Sequence, residues 1–255
     1  MPERTNRLTD FQKALYHRNI LIPEIGAAGQ FKLLHSRVLI VGLGGLGSPA
    51  LLYLAAAGIG TIGIIDSDRV ELSNLQRQIL HGRSDIGDEK TRSAGKRVER
   101  LNPDVCLNVY PLRLSAANAA QVIANYDFII EATDNFESKF LINDVCVQLG
   151  TSYSHAGVSG MYGQTMTVVP GKGPCFRCIF EQMPPPDIAK TTDTLGVLGS
   201  IPGVFGAIQA TEAVKYLTGC GDLLVGRLLS WDALAGTIRE IKLPADKRCG
   251  ICRSA

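Results

Sequence analysis

The sequence predicts an α/β fold with a parallel sheet. Its short apolar runs, at 37–41, 61–66 and 127–132, have the near-continuous hydrophobic character of strands that are buried on both faces. Segments with helical character separate these runs along the chain. A glycine-rich turn directly follows the first run, as it does where a strand passes into a helix of a nucleotide-binding fold. Alternation of such strands with helices is typical of a parallel sheet.

The predicted elements cover most of the chain. Residues 1–35, which are polar with scattered apolar positions, are predicted to form a helical lead-in. Later helices are predicted over 48–57, 86–101, 115–125, 135–149 and 208–217. Strands are predicted over 37–41, 61–66, 105–114, 127–132, 164–169, 227–232 and 237–243, and from 152 onward. Residues 171–178 are predicted to form a turn, and the proline-rich segment 183–194 a mobile loop.

The turn Gly42-Leu-Gly-Gly-Leu-Gly47 matches the G-x-G-x-x-G pattern of nucleotide-binding folds. Gly42, Gly44 and Gly47 allow a tight turn and a close approach of the backbone to phosphate. Asp66 lies 19 residues after Gly47, at the end of the next predicted strand, where a carboxylate accepts hydrogen bonds from ribose hydroxyls. A turn needed only for packing is the alternative. The motif does not distinguish a dinucleotide from ATP, and the chain contains no P-loop motif.

Polar residues beyond Asp66 favour a triphosphate over a hydride-transfer cofactor. Asp68, the segment Ser73-Asn-Leu-Gln-Arg77-Gln78 and Lys90 follow in order. Amides and cations can neutralise charge during displacement at phosphorus, whereas an isolated basic residue is usually a solvated surface charge.

A second polar group, Thr133-Asp134-Asn135, follows the strand predicted over 127–132. The carboxyl ends of parallel strands border the ligand crevice in such sheets. A carboxylate there can bind magnesium against phosphate oxygens. Asp and Asn are also favoured helix N-caps. Both roles are compatible, with Asp134 as the ligand and Asn135 shaping the turn.

The cysteine pattern predicts a structural zinc site. Four of the seven cysteines form two Cys-x-x-Cys pairs that are 70 residues apart: Cys175, Cys178, Cys249 and Cys252. Four thiolates make a closed tetrahedral zinc site, which is structural rather than catalytic. Two surface thiol pairs or redox dithiols are the alternative.

Charge and the N-terminal segment limit the classes of partner. The chain has 26 Lys and Arg against 24 Asp and Glu, a net charge of +2, which gives no reason to expect nucleic acid or an anionic membrane as a partner. Residues 1–17 are charged and contain no apolar core of a signal peptide. We therefore expect a cytoplasmic protein.

The motifs together resemble those of the ThiF/MoeB/HesA family, the bacterial relatives of ubiquitin-activating enzymes. GLGGLG, the Asp66-x-Asp68 pair, SNLQRQ, TDN, PCFRC and CGIC occur in the family's order, and the similarity extends from Arg18 to Cys252. The resemblance implies a Rossmann-like, mostly parallel twisted sheet flanked by helices, with a zinc-stabilised C-terminal half. It also implies a homodimer. Within one compact domain we expect a nucleotide-binding half over 36–160 and a carrier-binding and zinc half over 161–255, after the lead-in 1–35.

The resemblance also implies an activity. The family uses ATP and Mg²⁺ to adenylate the C-terminal glycine of a small ubiquitin-like sulfur-carrier protein that ends in Gly-Gly, and it releases pyrophosphate. Residues matching the family's catalytic and nucleotide-contact positions are Arg18, Gly45, Asp66, Ser73, Asn74, Leu75, Gln76, Arg77, Lys90 and Asp134. By this match, Arg77 and Lys90 bind phosphate, Asp134 is the magnesium-site acid, and Arg18 reaches across the dimer to the partner's ATP.

The chain departs from the family's pattern at several positions. Leu15 and Asn19 flank Arg18 where the family has Arg and Gln, and Thr192 stands where several members have a cysteine that can link to the carrier. We therefore predict no covalent enzyme–carrier stage. Cys106 and Cys146 are predicted to be buried, which leaves Cys220 as the exposed free thiol. No rhodanese-like segment follows Cys252, so we expect a separate sulfur donor.

Three other functions remain open from the sequence. An NAD-dependent oxidoreductase explains the glycine turn and Asp66 but not the later motifs. An enzyme like the tRNA threonylcarbamoyladenosine dehydratases shares the nucleotide half. A nucleotide-binding scaffold that only docks a partner is the third.

Overall fold

Eight strands form one continuous sheet in the computed structural model, which describes residues 7–185, 195–244 and 249–252. The strands are β1 (Arg37–Val41), β2 (Thr61–Ile65), β3 (Cys106–Tyr110), β4 (Phe128–Glu131), β5 (Ser152–Ser159), β6 (Tyr162–Val168), β7 (Arg227–Asp232) and β8 (Thr237–Lys242). Their order across the sheet is β3-β2-β1-β4-β5-β6-β7-β8.

The helices of the described residues connect and cover these strands. They are α1 (Asp10–Leu15), α2 (His17–Ile20), α3 (Gly26–His35), α4 (Gly47–Ala57), α5 (Lys90–Leu101), α6 (Ala119–Ile123), α7 (Phe136–Leu149), α8 (Phe176–Ile179) and α9 (Ser200–Thr218). Within the same residues, no helix has both the length and the apolar character needed to cross a membrane.

The sheet has a parallel part and an antiparallel part. Strands β3, β2, β1, β4 and β5 pair in parallel, whereas β6, β7 and β8 pair antiparallel. The α/β class is therefore confirmed, although the sheet is mixed rather than parallel throughout. The predicted boundary at residue 160 falls in the turn between β5 and β6. Because those two strands are paired neighbours, the division into two halves stays a prediction.

The core lies on both faces of the sheet, as alternation along β1 illustrates. Val38 and Ile40 pack in one cluster with α4, α5 and α9, whereas Leu39 and Val41 pack in the other with α6 and α7. All four side chains are buried. Near-continuous apolar sequences are therefore needed in β1, β2 and β4, because these strands are covered on both sides.

Helix α5 begins four residues later than the predicted start at 86. Residues 87–89 pair instead with the segment after β2: the Gly87 N–H donates to the Val70 carbonyl and the Val70 N–H to the Asp88 carbonyl, both at 2.9 Å. The strand predicted over 105–114 ends at Tyr110, and the helix predicted over 115–125 covers only 119–123. The predicted turn 171–178 contains the start of α8.

Helix α9 begins eight residues before the predicted start at 208. Pro202, Gly203 and Gly206, which precede the predicted start, lie within the helix. Pro202 lies in the first turn, where its missing N–H is not needed. A Cβ on Gly206 would lie 2.2 Å from the Leu46 carbonyl oxygen, so this glycine permits close packing of α9 against the start of α4.

Two predictions on cysteines have different outcomes. Cys146 is buried in α7, as predicted, but Cys106 is exposed because β3 is the edge strand of the sheet. The prediction that Cys220 is the one exposed free thiol is therefore wrong. Thr192 and most of the predicted loop 183–194 lie outside the described residues.

Candidate functional site

A cavity of about 390 Å³ opens at the carboxyl ends of β1, β2 and β4. From β1 the chain proceeds to β2 and β3 on one side, whereas β4 and β5 follow on the other side of β1. The gap between β1 and β4, where the strand order reverses, is the position at which open α/β sheets bind ligands. Most predicted site residues line this cavity: Gly42, Gly44, Gly45, Asp66, Asp68, Arg77, Lys90, Asp134 and Asn135.

The glycine turn forms the floor of the cavity and requires glycine at both ends. Gly42 has a φ of +95°, and a Cβ there would lie 2.7 Å from the Ala132 carbonyl oxygen. A Cβ on Gly47 would lie 1.9 Å from the Gly42 carbonyl oxygen. Among the described residues no side chain caps the N-terminus of α4. The Ser48 N–H donates to the Gly44 carbonyl at 2.9 Å and Pro49 has no N–H, so this helix start offers an anion mainly its positive dipole end.

Asp66 is held by two backbone N–H groups at the end of β2. Its carboxylate accepts hydrogen bonds from Leu43 at 2.7 Å and from Asp68 at 2.8 Å. Burial raises the pKa of Asp66, and the Lys90 ammonium opposes that shift. The carboxylate is thereby oriented at the rim, where an acid can accept from ribose hydroxyls.

The two predicted phosphate-binding cations border the cavity from different elements. Lys90, the first residue of α5, is buried and donates to the Asp68 carboxylate at 2.8 Å. Arg77 follows a turn after β2, and its guanidinium donates to the Ser73 carbonyl at 3.1 Å. A Cβ on Gly45 would lie 3.5 Å from the Arg77 Cγ and 2.9 Å from the Pro202 Cγ, so glycine keeps this side of the cavity open.

The predicted segment 73–76 does not itself line the cavity. Asn74 is buried, and its Oδ1 accepts from the Glu71 N–H at 3.0 Å. Its carbonyl accepts from the N–H groups of Arg77 and Gln78, at 3.1 and 2.9 Å. Ser73, Leu75 and Gln76 lie on the same turn. The segment therefore shapes the turn that presents Arg77.

Arg18 lies outside the cavity of its own chain. It is exposed on the short helix α2. Its predicted contact with ATP therefore requires a second copy of the chain.

Asp134 and Asn135 have separate roles in the turn after β4. The Asn135 Oδ1 accepts from the Ser138 N–H at 2.8 Å and caps α7. Asp134 is exposed to the cavity, and its carboxylate has no hydrogen-bond or ion-pair partner among the described residues. A carboxylate that is unpaired and lies beside space for a phosphate provides the oxygen ligands that Mg²⁺ prefers.

The cavity also borders on residues that the site prediction missed. Gln78 is buried, and its Oε1 has no partner within the described part of the chain. Lys139 is buried beneath the cavity and pairs with the fully buried Glu131 at 3.0 Å. Glu131 is the one charge within the apolar run Phe-Ile-Ile-Glu-Ala, and a charge in a buried strand was the available signal.

Glu131 is ionised although it is buried. Burial raises its pKa, but Lys139, His155 and Thr133 together lower the pKa of this carboxyl to about 2. The His155 Nδ1 lies 2.6 Å from the Glu131 Oε2. Burial and the Lys139 charge lower the pKa of His155, so the ring is neutral at pH 7 and donates from Nδ1.

The four paired cysteines converge, as the sequence predicted. Their sulfur atoms all lie within 4.8 Å of one another, with Cys175–Cys249 at 3.7 Å and Cys178–Cys252 at 3.5 Å. Sulfur atoms of a tetrahedral zinc site with Zn–S bonds of about 2.3 Å are ~3.8 Å apart. The cluster therefore has the dimensions to hold a metal ion.

The first Cys-x-x-Cys is anchored to α7. The Arg177 guanidinium binds both carboxylate oxygens of Asp144, at 2.6 and 2.7 Å, and lies 4.7 Å from the Phe140 ring centre. The Phe176 N–H donates to the Asn143 Oδ1 at 2.8 Å, and its ring packs 4.6 Å from that of His155. These contacts fix the position of α8 against the sheet.

Known proteins are similar to this chain over most of its length. The ThiF family model matches residues 16–252. The sulfur carrier protein adenylyltransferase of Thermus thermophilus is 40% identical over 242 residues, which cover 93% of this chain and 89% of that protein. The SAMP-activating enzyme E1 of Haloferax volcanii is 44% identical over 237 residues, covering 93% and 87%. The solved structure of E. coli MccB with ATP shares the fold, with a TM-score of 0.80 at 23% identity over 93% of this chain and 73% of that chain.

Proposed function

The chain belongs to the ThiF family, and we propose that it is an ATP-dependent adenylyltransferase acting on a small ubiquitin-like sulfur-carrier protein. The carrier's C-terminal glycine carboxylate is converted to an acyl-adenylate. The observation that carries the proposal is the set of residues that line the cavity. It combines a glycine turn, an acid placed to bind ribose, the cations Arg77 and Lys90, and the unpaired acid Asp134. The names of both curated relatives support the same activity.

The reaction needs little covalent chemistry from the enzyme. The carrier's carboxylate is already ionised at neutral pH, and one of its oxygens attacks the α-phosphorus of ATP. The bond between the α-phosphorus and the bridging oxygen breaks, and pyrophosphate leaves with its electron pair. The chain must therefore hold the reacting groups in line and offset the phosphate charge.

Individual residues divide these tasks by position. Asp66 holds the ribose, and the glycine turn with the N-terminus of α4 receives the phosphates. Lys90 and Arg77 offset the phosphate charge. Mg²⁺ bound to Asp134 would add positive charge against the phosphate oxygens. Gly45 leaves room on the side of the cavity where Pro202 closes it.

The second half supplies structure and the carrier surface in this proposal. A zinc ion held by Cys175, Cys178, Cys249 and Cys252 fixes two segments that are far apart in sequence. The antiparallel strands β6–β8 and the segment 183–198 receive the carrier and its tail, and residues 186–194 of that segment lie outside the described residues.

The assembly in this proposal is a cytoplasmic homodimer. The exposed position of Arg18, outside its own cavity, supports a contact in which it reaches the partner's ATP. A separate protein donates sulfur to the acyl-adenylate.

Exchange of labelled pyrophosphate into ATP tests the proposal. We expect exchange only with ATP, Mg²⁺ and a carrier that ends in Gly-Gly, and none with a carrier lacking its last glycine. Calorimetric titration should give tighter binding of Mg²⁺–ATP than of NAD. Equal or tighter binding of NAD would favour the oxidoreductase alternative, and ATP turnover that requires a modified tRNA instead of the carrier would favour the dehydratase alternative.

A further inference from the structure

A buried ion pair lies directly beneath the residue that faces the phosphates. Glu131 ends β4, and Lys139 lies in the second turn of α7. Both are buried, and the Lys139 Nζ lies 3.1 and 3.0 Å from the two Glu131 oxygens. The pair has no net charge, so it adds little to the field at the phosphates.

The Lys139 ammonium is already saturated by the protein. Besides the carboxylate, its Nζ contacts the carbonyl oxygens of Thr133 at 2.7 Å and Ala156 at 2.8 Å. An ammonium has three N–H donors, and four acceptor atoms surround this one. Lys139 therefore has no free donor for a phosphate, although it borders the cavity.

Glu131 and Lys139 form hydrogen bonds with both backbone groups, the N–H and the carbonyl, of Thr133, the residue before Asp134. The Thr133 N–H donates to the Glu131 Oε1 at 2.8 Å, and the Thr133 hydroxyl donates to the same oxygen. The Thr133 carbonyl accepts from Lys139. On the other side of Asp134, Asn135 is fixed as the cap of α7. The backbone of Asp134 is thus fixed on both sides, while its carboxylate has no partner in the part of the chain that the structure describes.

We propose that Glu131 and Lys139 are positioning residues that fix the turn 132–134, so that the Asp134 carboxylate faces a divalent cation on the nucleotide's phosphates. The proposal rests on the proposed function, because it assumes that a metal–nucleotide complex occupies the cavity. It assigns Lys139 an action through Asp134 rather than on the phosphates. Outer ligands that orient a metal-binding side chain typically change metal affinity by about 10–100-fold when mutated.

A double-mutant cycle separates these two actions of Lys139. The probe is Mn²⁺ in the presence of the α,β-methylene analogue of ATP, and bound Mn²⁺ is measured by electron paramagnetic resonance. We expect Lys139→Met and Asp134→Asn each to weaken Mn²⁺ binding at least about tenfold. The double variant should be no weaker than Asp134→Asn alone, because both changes act on one carboxylate.

Thr133→Val and Lys215→Met are the accompanying variants. Thr133→Val removes only the hydroxyl contact with Glu131, keeps the ion pair, and should weaken Mn²⁺ binding to a smaller degree. Thr133→Val also serves if Lys139→Met does not fold. Lys215→Met is the matched control: Lys215 pairs with the buried Glu212 on α9 and does not line the cavity, so Mn²⁺ binding should not change.

The possible outcomes distinguish the two levels of the proposal. The positioning role would be overturned if the losses of Mn²⁺ affinity in the two single variants added in the double variant. It would also be overturned if Mn²⁺ binding were unchanged in both Thr133→Val and Lys139→Met. Unchanged binding in Asp134→Asn would overturn it as well. A wild-type chain that binds no Mn²⁺–nucleotide complex would instead contradict the proposed function.

Discussion

The candidate nucleotide cavity and the cysteine cluster differ in how far the protein satisfies its own polar groups. In the cavity, Asp134 has no partner among the described residues, and Gln78 has a buried oxygen without one. In the cluster, four sulfur atoms lie within 4.8 Å of one another and face each other. A site that takes up and releases a large ligand leaves donors and acceptors free. A site that holds one ion permanently is closed around it.

Removing a charged group from the cavity is expected to have the largest effect on activity. Asp134→Ala and Lys90→Ala should each reduce pyrophosphate exchange by about 100-fold or more, because each removes charge stabilisation made in the transition state. The melting temperature of Asp134→Ala should stay near that of the wild type, since its carboxylate has no partner to lose among residues 7–185, 195–244 and 249–252.

Asp10→Ala is the control for a general effect of removing surface acid, because Asp10 is exposed and pairs with Lys13 on α1. Exchange rates in Asp134→Ala close to those of wild type would remove this residue from the mechanism.

Opening the closed cluster should act on stability instead. Cys249→Ser should lower zinc content and melting temperature together, because the two segments lose their shared ion. A loss of about 3 kcal/mol of metal-linked folding energy would lower the melting temperature of a chain of this size by roughly 6–12 °C. Elemental analysis and calorimetry measure both quantities. Cys220→Ser, outside the cluster, should change neither, and metal-free protein that melts with the wild type would refute a structural zinc ion.

Acid should destabilise the region between the two sites in two steps. His155 has a lowered pKa and Glu131 a pKa of about 2, so the unfolded chain takes up protons at each group before the folded chain does. The free energy of unfolding should therefore fall as the pH drops below 6.5, and fall again from 4.5 towards 2. Chemical denaturation across this range measures it.

His155→Phe should flatten the upper part of that curve. It should not abolish it, because burial also lowers the pKa of His81. His17→Gln, on the exposed surface of α2, should leave the curve unchanged. A curve for His155→Phe that parallels the wild type would show that this imidazole does not take part.

The smallest expected effect concerns the thiols outside the cluster. Incubation of enzyme, carrier and ATP should give no carrier-sized mass increase on the enzyme in intact mass spectrometry under non-reducing conditions. Cys220→Ala should retain exchange, and so should Cys106→Ala, since Cys106 is exposed at the first residue of β3 and does not line the cavity at the strands' carboxyl ends. A mass increase that either substitution removes would contradict catalysis that stops at the acyl-adenylate.

The sequence alone predicted the parts of the site that lie close together along the chain. The strand, glycine turn and helix at 37–57 have nearly the predicted bounds. Apolar runs and glycines determine the backbone conformation of the few residues around them, so the sequence predicts such local elements well. It also predicted the cysteine cluster, since doubled Cys-x-x-Cys spacing has a restricted chemical meaning. It failed at the start of α9, which lies eight residues before the predicted start at 208 and includes Pro202 and Gly206.

Only the tertiary structure decided which groups meet and which remain unpaired. The early start of α9 depends on Gly206 lying against Leu46, a contact between residues that are distant in sequence. The exposure of Cys106 depends on β3 forming the edge of the sheet. The saturation of Lys139 depends on carbonyl oxygens from two different elements, the turn after β4 and the interior of β5. Local patterns specify local conformation, but partnership in a buried network depends on the whole packed chain, because each partner comes from a separate element.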